Sequence, residues 1–126
     1  MSTAAVASQD LDAIKKVILE YYQEGGRAAD NSVLKKAFHP ASTMYGYNRK
    51  EMVGGPIDAL WELVDKVIGP AKNLRIDLTH VDIVGGQIAQ VRTEDYDWAG
   101  TRYTDMFNLI KEQGEWKIIS KIYYVW

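Results

Sequence analysis

Along Tyr103-Thr104-Asp105-Met106-Phe107-Asn108-Leu109 the odd-numbered positions are aromatic or apolar with one exception, and the exception is a carboxylic acid. Successive side chains of a strand point to opposite faces, so Tyr103, Asp105, Phe107 and Leu109 share a face. Desolvation there raises the pKa of Asp105 and suits it to general acid or base chemistry. The same position also suits a structural aspartate that accepts bonds from a tyrosine hydroxyl, an arginine or loop amides. Tyr21 and Tyr22 lie about 100° apart if their segment is helical, so only one can point squarely inward. Tyr22, Tyr45, Tyr47, Trp61, Tyr103, Tyr124 and Trp126 supply aromatic surface, with hydroxyl donors on the tyrosines, for a core or for the lining of a pocket.

Other chemistries lack their residues. There is no cysteine, which removes disulfides, thiolate metal sites and cysteine nucleophiles. His39 and His80 are the only histidines, and neither has a carboxylate at helical spacing that would suggest a metal motif, so no metal site is expected. His39, just before Pro40, suits either the exposed carbonyls of a helix end or a pocket wall. Ser120 has no histidine and aspartate partners for a triad, and Gly54-Gly55 and Gly85-Gly86 match no nucleotide fingerprint, so no cofactor is expected. The run Glu94-Asp95-Tyr96-Asp97 reads as a solvated strand end.

The elements that must position these residues follow from periodicity. Leu11, Ile14, Val17, Ile18, Tyr21 and Tyr22 recur at three- and four-residue steps, which predicts a first helix capped by Ser8 or Asp10 and stopped by Gly25-Gly26. A short second helix fits Asn31 to Phe38 and closes at His39, because the residue before Pro40 is pushed out of helical conformation. An extended piece covers Thr43 to Tyr47. Gly55-Pro56 then opens a third helix with Ile57, Leu60, Trp61, Val64 and Ile68 as its apolar stripe, and Gly69-Pro70 ends it. From Leu74 the period becomes two, with turns at Gly85-Gly86, Ala99-Gly100 and Gln113-Gly114, which predicts an antiparallel meander of four strands. A two-residue turn at Gln113-Gly114 sets Leu109 opposite Ile118, Phe107 opposite Ser120, Asp105 opposite Ile122 and Tyr103 opposite Tyr124. Bringing Ala89, Val91 and Thr93 onto the same face requires one extra residue near Trp98 to Gly100. Met106, Ile110, Ile119, Tyr123 and Val125 then form an apolar outer face.

The 126 residues are 47% hydrophobic and 25% charged, the composition of one globular domain. We read residues 1–9 as a disordered tail and 10–126 as a single α+β domain, with helices laid on one face of a bent sheet. Fifteen Lys and Arg against seventeen Asp and Glu, with the bases scattered, form no stripe for nucleic acid. No apolar run reaches the roughly 20 residues of a membrane span. The N-terminus has no secretory pattern, and a cytoplasmic location is the expectation.

The order of elements, together with Tyr22, Gly25-Gly26, Ala37-Phe38-His39-Pro40, Trp98-Ala99-Gly100-Thr101-Arg102-Tyr103-Thr104-Asp105-Met106-Phe107-Asn108-Leu109, Gly114-Glu115-Trp116-Lys117-Ile118 and Ser120-Lys121, closely resembles the nuclear transport factor 2-like superfamily. That superfamily holds the SnoaL-like and ketosteroid isomerase-like proteins, and the chain is similar to its bacterial subgroup labelled "putative lumazine-binding". The resemblance implies a cone-shaped barrel of cystatin-like fold, three N-terminal helices on the concave face of a mainly antiparallel sheet, a small-molecule pocket between them, and a homodimer through the outer sheet face. It sets Tyr22 where the isomerase has its oxyanion-stabilising tyrosine and Gly46 where the isomerase has its general base. A glycine abstracts no proton, so that mechanism does not transfer intact. The expectation is a pocket for an apolar or aromatic ligand, lined by Tyr45, Trp61, Tyr103, Phe107, Ser120, Tyr124 and His39. Within it Asp105 and Tyr22 would carry an isomerase-, dehydratase- or cyclase-like step; the alternative is a non-catalytic module with a closed cone.

Overall fold

The computed structural model of the protein describes residues 3–126. Its first helix begins at Thr3, continues beyond Lys16 through a wider-turned stretch, Val17–Gln23, and ends with Glu24–Ala28. The tail expected over residues 1–9 is therefore helical from Thr3 onward, while Met1 and Ser2 lie outside the described residues. Ala4, Ala5 and Ala7 are strong helix formers and extend the helix by propensity. Asp10 is no cap. It is buried and accepts hydrogen bonds from Trp116 Nε1 at 3.0 Å and, as an ion pair, Lys111 Nζ at 2.7 Å, tying the helix to the sheet.

Gly25 and Gly26 do not end the helix, which stops at Ala29 in left-handed conformation (φ 52°, ψ 41°). They are needed for close approach. A Cβ on Gly25 would lie 2.7 Å from Leu34 Cγ and 2.9 Å from the Leu34 backbone nitrogen, and one on Gly26 would lie 2.9 Å from the Trp98 ring. The second helix, Asn31–Leu34 with a tight turn Lys35–Ala37, is capped by Asp30, whose carboxylate accepts from the Ser32 amide at 2.9 Å. Phe38 already belongs to the next strand.

Six strands follow in one sheet: β1 (Phe38–Asn48), β2 (Glu51–Pro56), β3 (Arg75–Val84), β4 (Ile88–Trp98), β5 (Thr101–Glu112) and β6 (Glu115–Val125). Their order is β2-β1-β6-β5-β4-β3, antiparallel except for the β1–β6 pair. The meander is as expected; β2 is not, because the sequence pattern assigns no strand between Tyr47 and Gly55-Pro56, where the third helix is expected to open and where the chain instead pairs with β1. Pro56 ends β2, and the third helix occupies Asp58–Leu63 and Val64–Ile68. The sheet is strongly curved but not closed, since β2 and β3 are its free edges.

Register irregularities produce the curvature. One lies between Asp95 and Trp98, where the sequence required it. Another lies where no pattern announced it: Leu109 pairs with Ile118, but Asn108 pairs with Ser120, so Ile119 is an extra residue in β6. Beyond it every β6 side chain changes face. Phe107 faces Lys121, Asp105 faces Tyr123 and Tyr103 faces Val125. Ser120, Ile122 and Tyr124 thus lie outside, and Lys121, Tyr123 and Val125 inside, the reverse of the expected register. The core fills the concavity, with Ile14, Ile18 and Tyr22 of the first helix packed over Val91, Phe107, Leu109 and Ile118.

Close packing at the two glycines and strain at Ala29 give opposite expectations. Gly25→Ala should lower stability by about 1 to 3 kcal/mol through overpacking against Leu34. Ala29→Gly should raise it by up to ~1 kcal/mol by relieving the left-handed residue. Urea unfolding of the two variants checks both.

Candidate active site

Between the third helix and the concave sheet lies a cavity of about 450 Å³, lined mainly by apolar side chains such as Met44, Leu60, Leu63 and Trp98, with Tyr22, Tyr103, Asp105, Lys121 and Tyr123 in its wall. Tyr22 points inward. Its ring meets Phe38, Trp98 and Phe107 edge-on at 5.8, 5.1 and 5.3 Å between centroids, and its hydroxyl donates to Asp105 Oδ2 at 3.3 Å. Tyr21 instead lies half-buried under Lys16 and Lys36. The widened turn that carries both tyrosines is a helical irregularity often associated with functional sites.

Asp105 is fully buried, and Lys121 Nζ stands 3.3 Å from its Oδ1. Lys121 is buried as well, 5% exposed, brought inward by the bulge at Ile119. The fourth member is Asp95, also fully buried. On paired antiparallel strands Asp95 sits opposite Tyr103 and Asp105 opposite Thr93, which makes the two aspartates diagonal neighbours on one face. Thr93 donates to Asp95 Oδ1 at 2.7 Å. Two neighbouring buried carboxyls cannot both ionise without strong repulsion, and Asp95 Oδ2, buried with no hydrogen-bond donor of its own, is the oxygen suited to carry a proton.

Burial, the Asp105 charge and the hydrogen bond to Asp105 push the Asp95 carboxyl up to about 10. The carboxyl that stays protonated is therefore one that the sequence reading left in a solvated strand end. The signal for it was available: Ala89, Val91 and Thr93 were placed inside, and two residues further along the same alternation is Asp95. Burial, followed by the charge of Asp105, holds the Tyr22 hydroxyl well above its ordinary value, so it remains a donor. Tyr103 and Tyr123 are raised mainly by burial, with Asp105 adding to it.

The remaining expected pocket residues divide. Tyr103 lines the cavity, and Phe107 packs behind Tyr22 in the core. Tyr45, Ser120 and Tyr124 do not line it: Tyr45 and Tyr124 are exposed on the outer face, and the Ser120 hydroxyl accepts there from Asn108 Nδ2 at 2.9 Å. The bulge in β6 explains Ser120 and Tyr124; Tyr45 alternates with Met44, which took the inner position. Trp61 and His39 flank a separate small groove, where Trp61 packs on Phe38 at 5.6 Å and His39 Nδ1 accepts from the Ala41 amide at 3.0 Å. His80 is exposed. No group of three or more His, Cys, Asp or Glu among the described residues could hold a metal ion, and no helix among them is long and apolar enough to cross a membrane.

Residues 9–124 match the family described as Putative lumazine-binding. The chain belongs to that family, within the nuclear transport factor 2-like superfamily. It is 30% identical over 123 residues to the aldolase FrzH of Cladobotryum sp, covering 94% of both chains. It is also similar to a nuclear transport factor 2-like protein of unknown function from Shewanella baltica OS155, with 37% identity, a TM-score of 0.88 and coverage of 94% and 95% of the two chains. A protein of Novosphingobium aromaticivorans DSM 12444 described as Putative Scytalone Dehydratase, 12% identical at a TM-score of 0.74 with coverage of 98% and 89%, shares the fold alone. In this family member the position that would match the isomerase's base, Gly46, is closed: a Cβ there would collide with the carbonyl and ring of Tyr123.

A protonated Asp95 has a pH signature. Its folded value lies above the unfolded one, so folding takes up a proton between about pH 4 and 10 and the stability contributed below pH 4 is lost as pH rises through that window. Asp10 and Glu94 are shifted downward and add no slope above pH 6. Between pH 6 and 9 stability should fall by on the order of 1 kcal/mol per pH unit in the native protein and markedly less in Asp95→Asn, read from urea midpoints.

Proposed function

We propose that this protein is an enzyme that moves a proton next to a carbonyl group of an apolar or aromatic small molecule, with the Asp95–Asp105 pair as acid and base and the Tyr22 hydroxyl as donor to the developing oxyanion. The carrying observation is a fully buried aspartate in the wall of an apolar cavity, in contact with a neutral hydroxyl, a second carboxyl and a lysine. A pair of carboxyls with one proton can both accept and return one. Tyr22 donates without carrying a charge, which suits the stabilisation of negative charge outside water. At about 450 Å³ the cavity falls in the range of small-molecule sites, larger than a closed cone would leave. Isomerisation, dehydration beside a carbonyl and aldol chemistry all pass through an enol or enolate, and the aldolase name of FrzH fits this common step.

The proposal includes a homodimer through the outer sheet face. Met106, Ile122 and Tyr124 are about half exposed there, beside Tyr45, Tyr47 and Met52. Ile119 remains with this patch, whereas Tyr123 and Val125 do not. Single exposed apolar residues are ordinary; a contiguous field of them on one sheet face supports an interface.

Two measurements test these readings. With the bicyclic ketone 2-tetralone in deuterated buffer, the protein should accelerate exchange of the proton next to the carbonyl. Asp105→Asn should lower that rate by about 100-fold or more, and Tyr22→Phe by a similar order, with folding intact by circular dichroism. Equal exchange in the native protein and Asp105→Asn would remove the aspartate from the reaction. In light scattering at tens of micromolar the native chain should be a dimer and Ile122→Glu a monomer, the concentration being chosen to populate an interface of roughly micromolar Kd; a native monomer would overturn the assembly.

A further inference from the structure

We infer that Lys121 is a covalent nucleophile whose amine condenses with the ligand's carbonyl to an imine; the inference rests on the acid–base reading of the same cavity and assigns it a second catalytic group. Among the lysines of the chain, all within the described residues, Lys121 is the one that is buried. Its strand neighbours on either side are apolar, Phe107 of β5 and Met44 of β1. An amine so placed has three donors or a lone pair to satisfy and meets one acceptor, Asp105 Oδ1 at 3.3 Å, besides the Tyr123 ring face at 4.3 Å from its centroid. Every other lysine is exposed or partly exposed, and the two partly exposed ones are paired: Lys111 with Asp10 at 2.7 Å, and Lys117 with the Lys36 carbonyl at 2.7 Å. Lys121 thus points into a ligand-sized cavity with unused bonding capacity, desolvated between apolar neighbours, which is the setting that activates an amine.

The step balances with the groups at hand. Asp105 takes a proton from Nζ, the nitrogen lone pair forms a bond to the carbonyl carbon, and the carbonyl π electrons pass to oxygen, which is protonated from the Tyr22–Asp95–Asp105 network. The nitrogen of the adduct gives its second proton to Asp105, which leaves a neutral carbinolamine; the hydroxyl takes that proton from Asp105 and leaves as water, and the freed nitrogen lone pair closes the iminium. One ammonium and one carbonyl have become one iminium and one water, with no change in charge or oxidation state. The positive charge facing Asp105 is retained through iminium formation, so the buried ion pair survives to that point. Removal of the neighbouring proton by Asp105 then gives a neutral enamine and a protonated Asp105; return of a proton to the carbon restores the iminium, and addition of water reverses the earlier steps and frees the amine.

Reductive trapping reads this directly. The native protein is incubated with 2-tetralone and sodium cyanoborohydride, digested and mapped by mass spectrometry, while exchange of the ketone's proton is followed in parallel. Lys121 should gain the mass of the ketone less its oxygen, with labelling about tenfold or more above any exposed lysine because the cavity holds the reactants together. Lys121→Arg, which retains the cation but forms no imine, should lose exchange along with Lys121→Met, and Lys121→Arg guards against a loss that comes only from an unpaired Asp105. Label spread evenly over surface lysines, with exchange retained in Lys121→Arg, would overturn the covalent role while leaving the Asp105 chemistry standing. Exchange absent from the native protein would instead overturn the acid–base reading on which the inference rests.

Discussion

Burying Asp105 is the constraint around which the inner face is arranged. A lone carboxylate in an apolar cone would cost several kcal/mol, and proteins avoid that cost by pairing the charge or protonating the group. Here both occur: Asp95 keeps its proton beside Asp105, and Lys121 Nζ faces the Asp105 carboxyl at 3.3 Å. Thr93 and Tyr22 complete it from a neighbouring strand and from the first helix. The partners of Asp105 come from the first helix, β4 and β6, so the cluster forms only when these elements and β5 are all in register. Breaking any of these contacts leaves a buried charge or a buried acceptor unpaired, which is why the polar centre and the fold are coupled.

The second helix and third helix serve this centre less directly. Leu34 fits against Gly25, and Trp98 and Leu74 against Gly26, so that the first helix can lie close enough for Tyr22 to reach β5. The third helix roofs the cavity with Leu60 and Leu63, and Val67 beside them is 74% exposed. Apolar surface left in solvent at the edge of a cavity makes that edge adhesive to an apolar ligand, and it is flanked by Gly55-Pro56 and Gly69-Pro70, where φ is positive at both glycines.

How much of this could be read from the residues depends on whether a pattern was local. The helices and the meander were legible because their periods run over many residues, and Asp105 was legible because its neighbours at two-residue steps are large and apolar. Asp95 was hidden by composition: Glu94 before it and Asp97 two residues after it mask a single inward carboxyl, although the alternation begun at Ala89 reaches it. Lys121 and the outward turn of Ser120 and Tyr124 were hidden by topology. An extra residue at Ile119 is invisible in Ile118-Ile119-Ser120-Lys121-Ile122-Tyr123-Tyr124-Val125, where apolar residues occupy both faces and no turn residue marks a bulge. β2 was missed for a related reason, since Gly54, Gly55 and Pro56 are turn residues that pair here only along a free edge.

The same bulge explains why the buried polar side chains gather on one wall of the cone. Had β6 continued in its starting register, Tyr123 would point outward and the space beside Gly46 on β1 would be open. With the extra residue, Tyr123 turns inward and its ring and carbonyl occupy the place a side chain on residue 46 would need. No acid can stand on β1 there. The inversion that closes this wall also carries Lys121 inward, opposite Phe107 and beside Asp105, so one inserted residue removes a position for a base and supplies an amine to the opposite side. Asp95 then becomes necessary: with Lys121 the sole cation facing the carboxyls, the cavity holds one negative charge without imbalance, and the second carboxyl must keep its proton. The groups proposed as acid, base and amine thus meet because one register shift in β6 turns Lys121 toward two aspartates that the alternation of β4 and β5 already places inside.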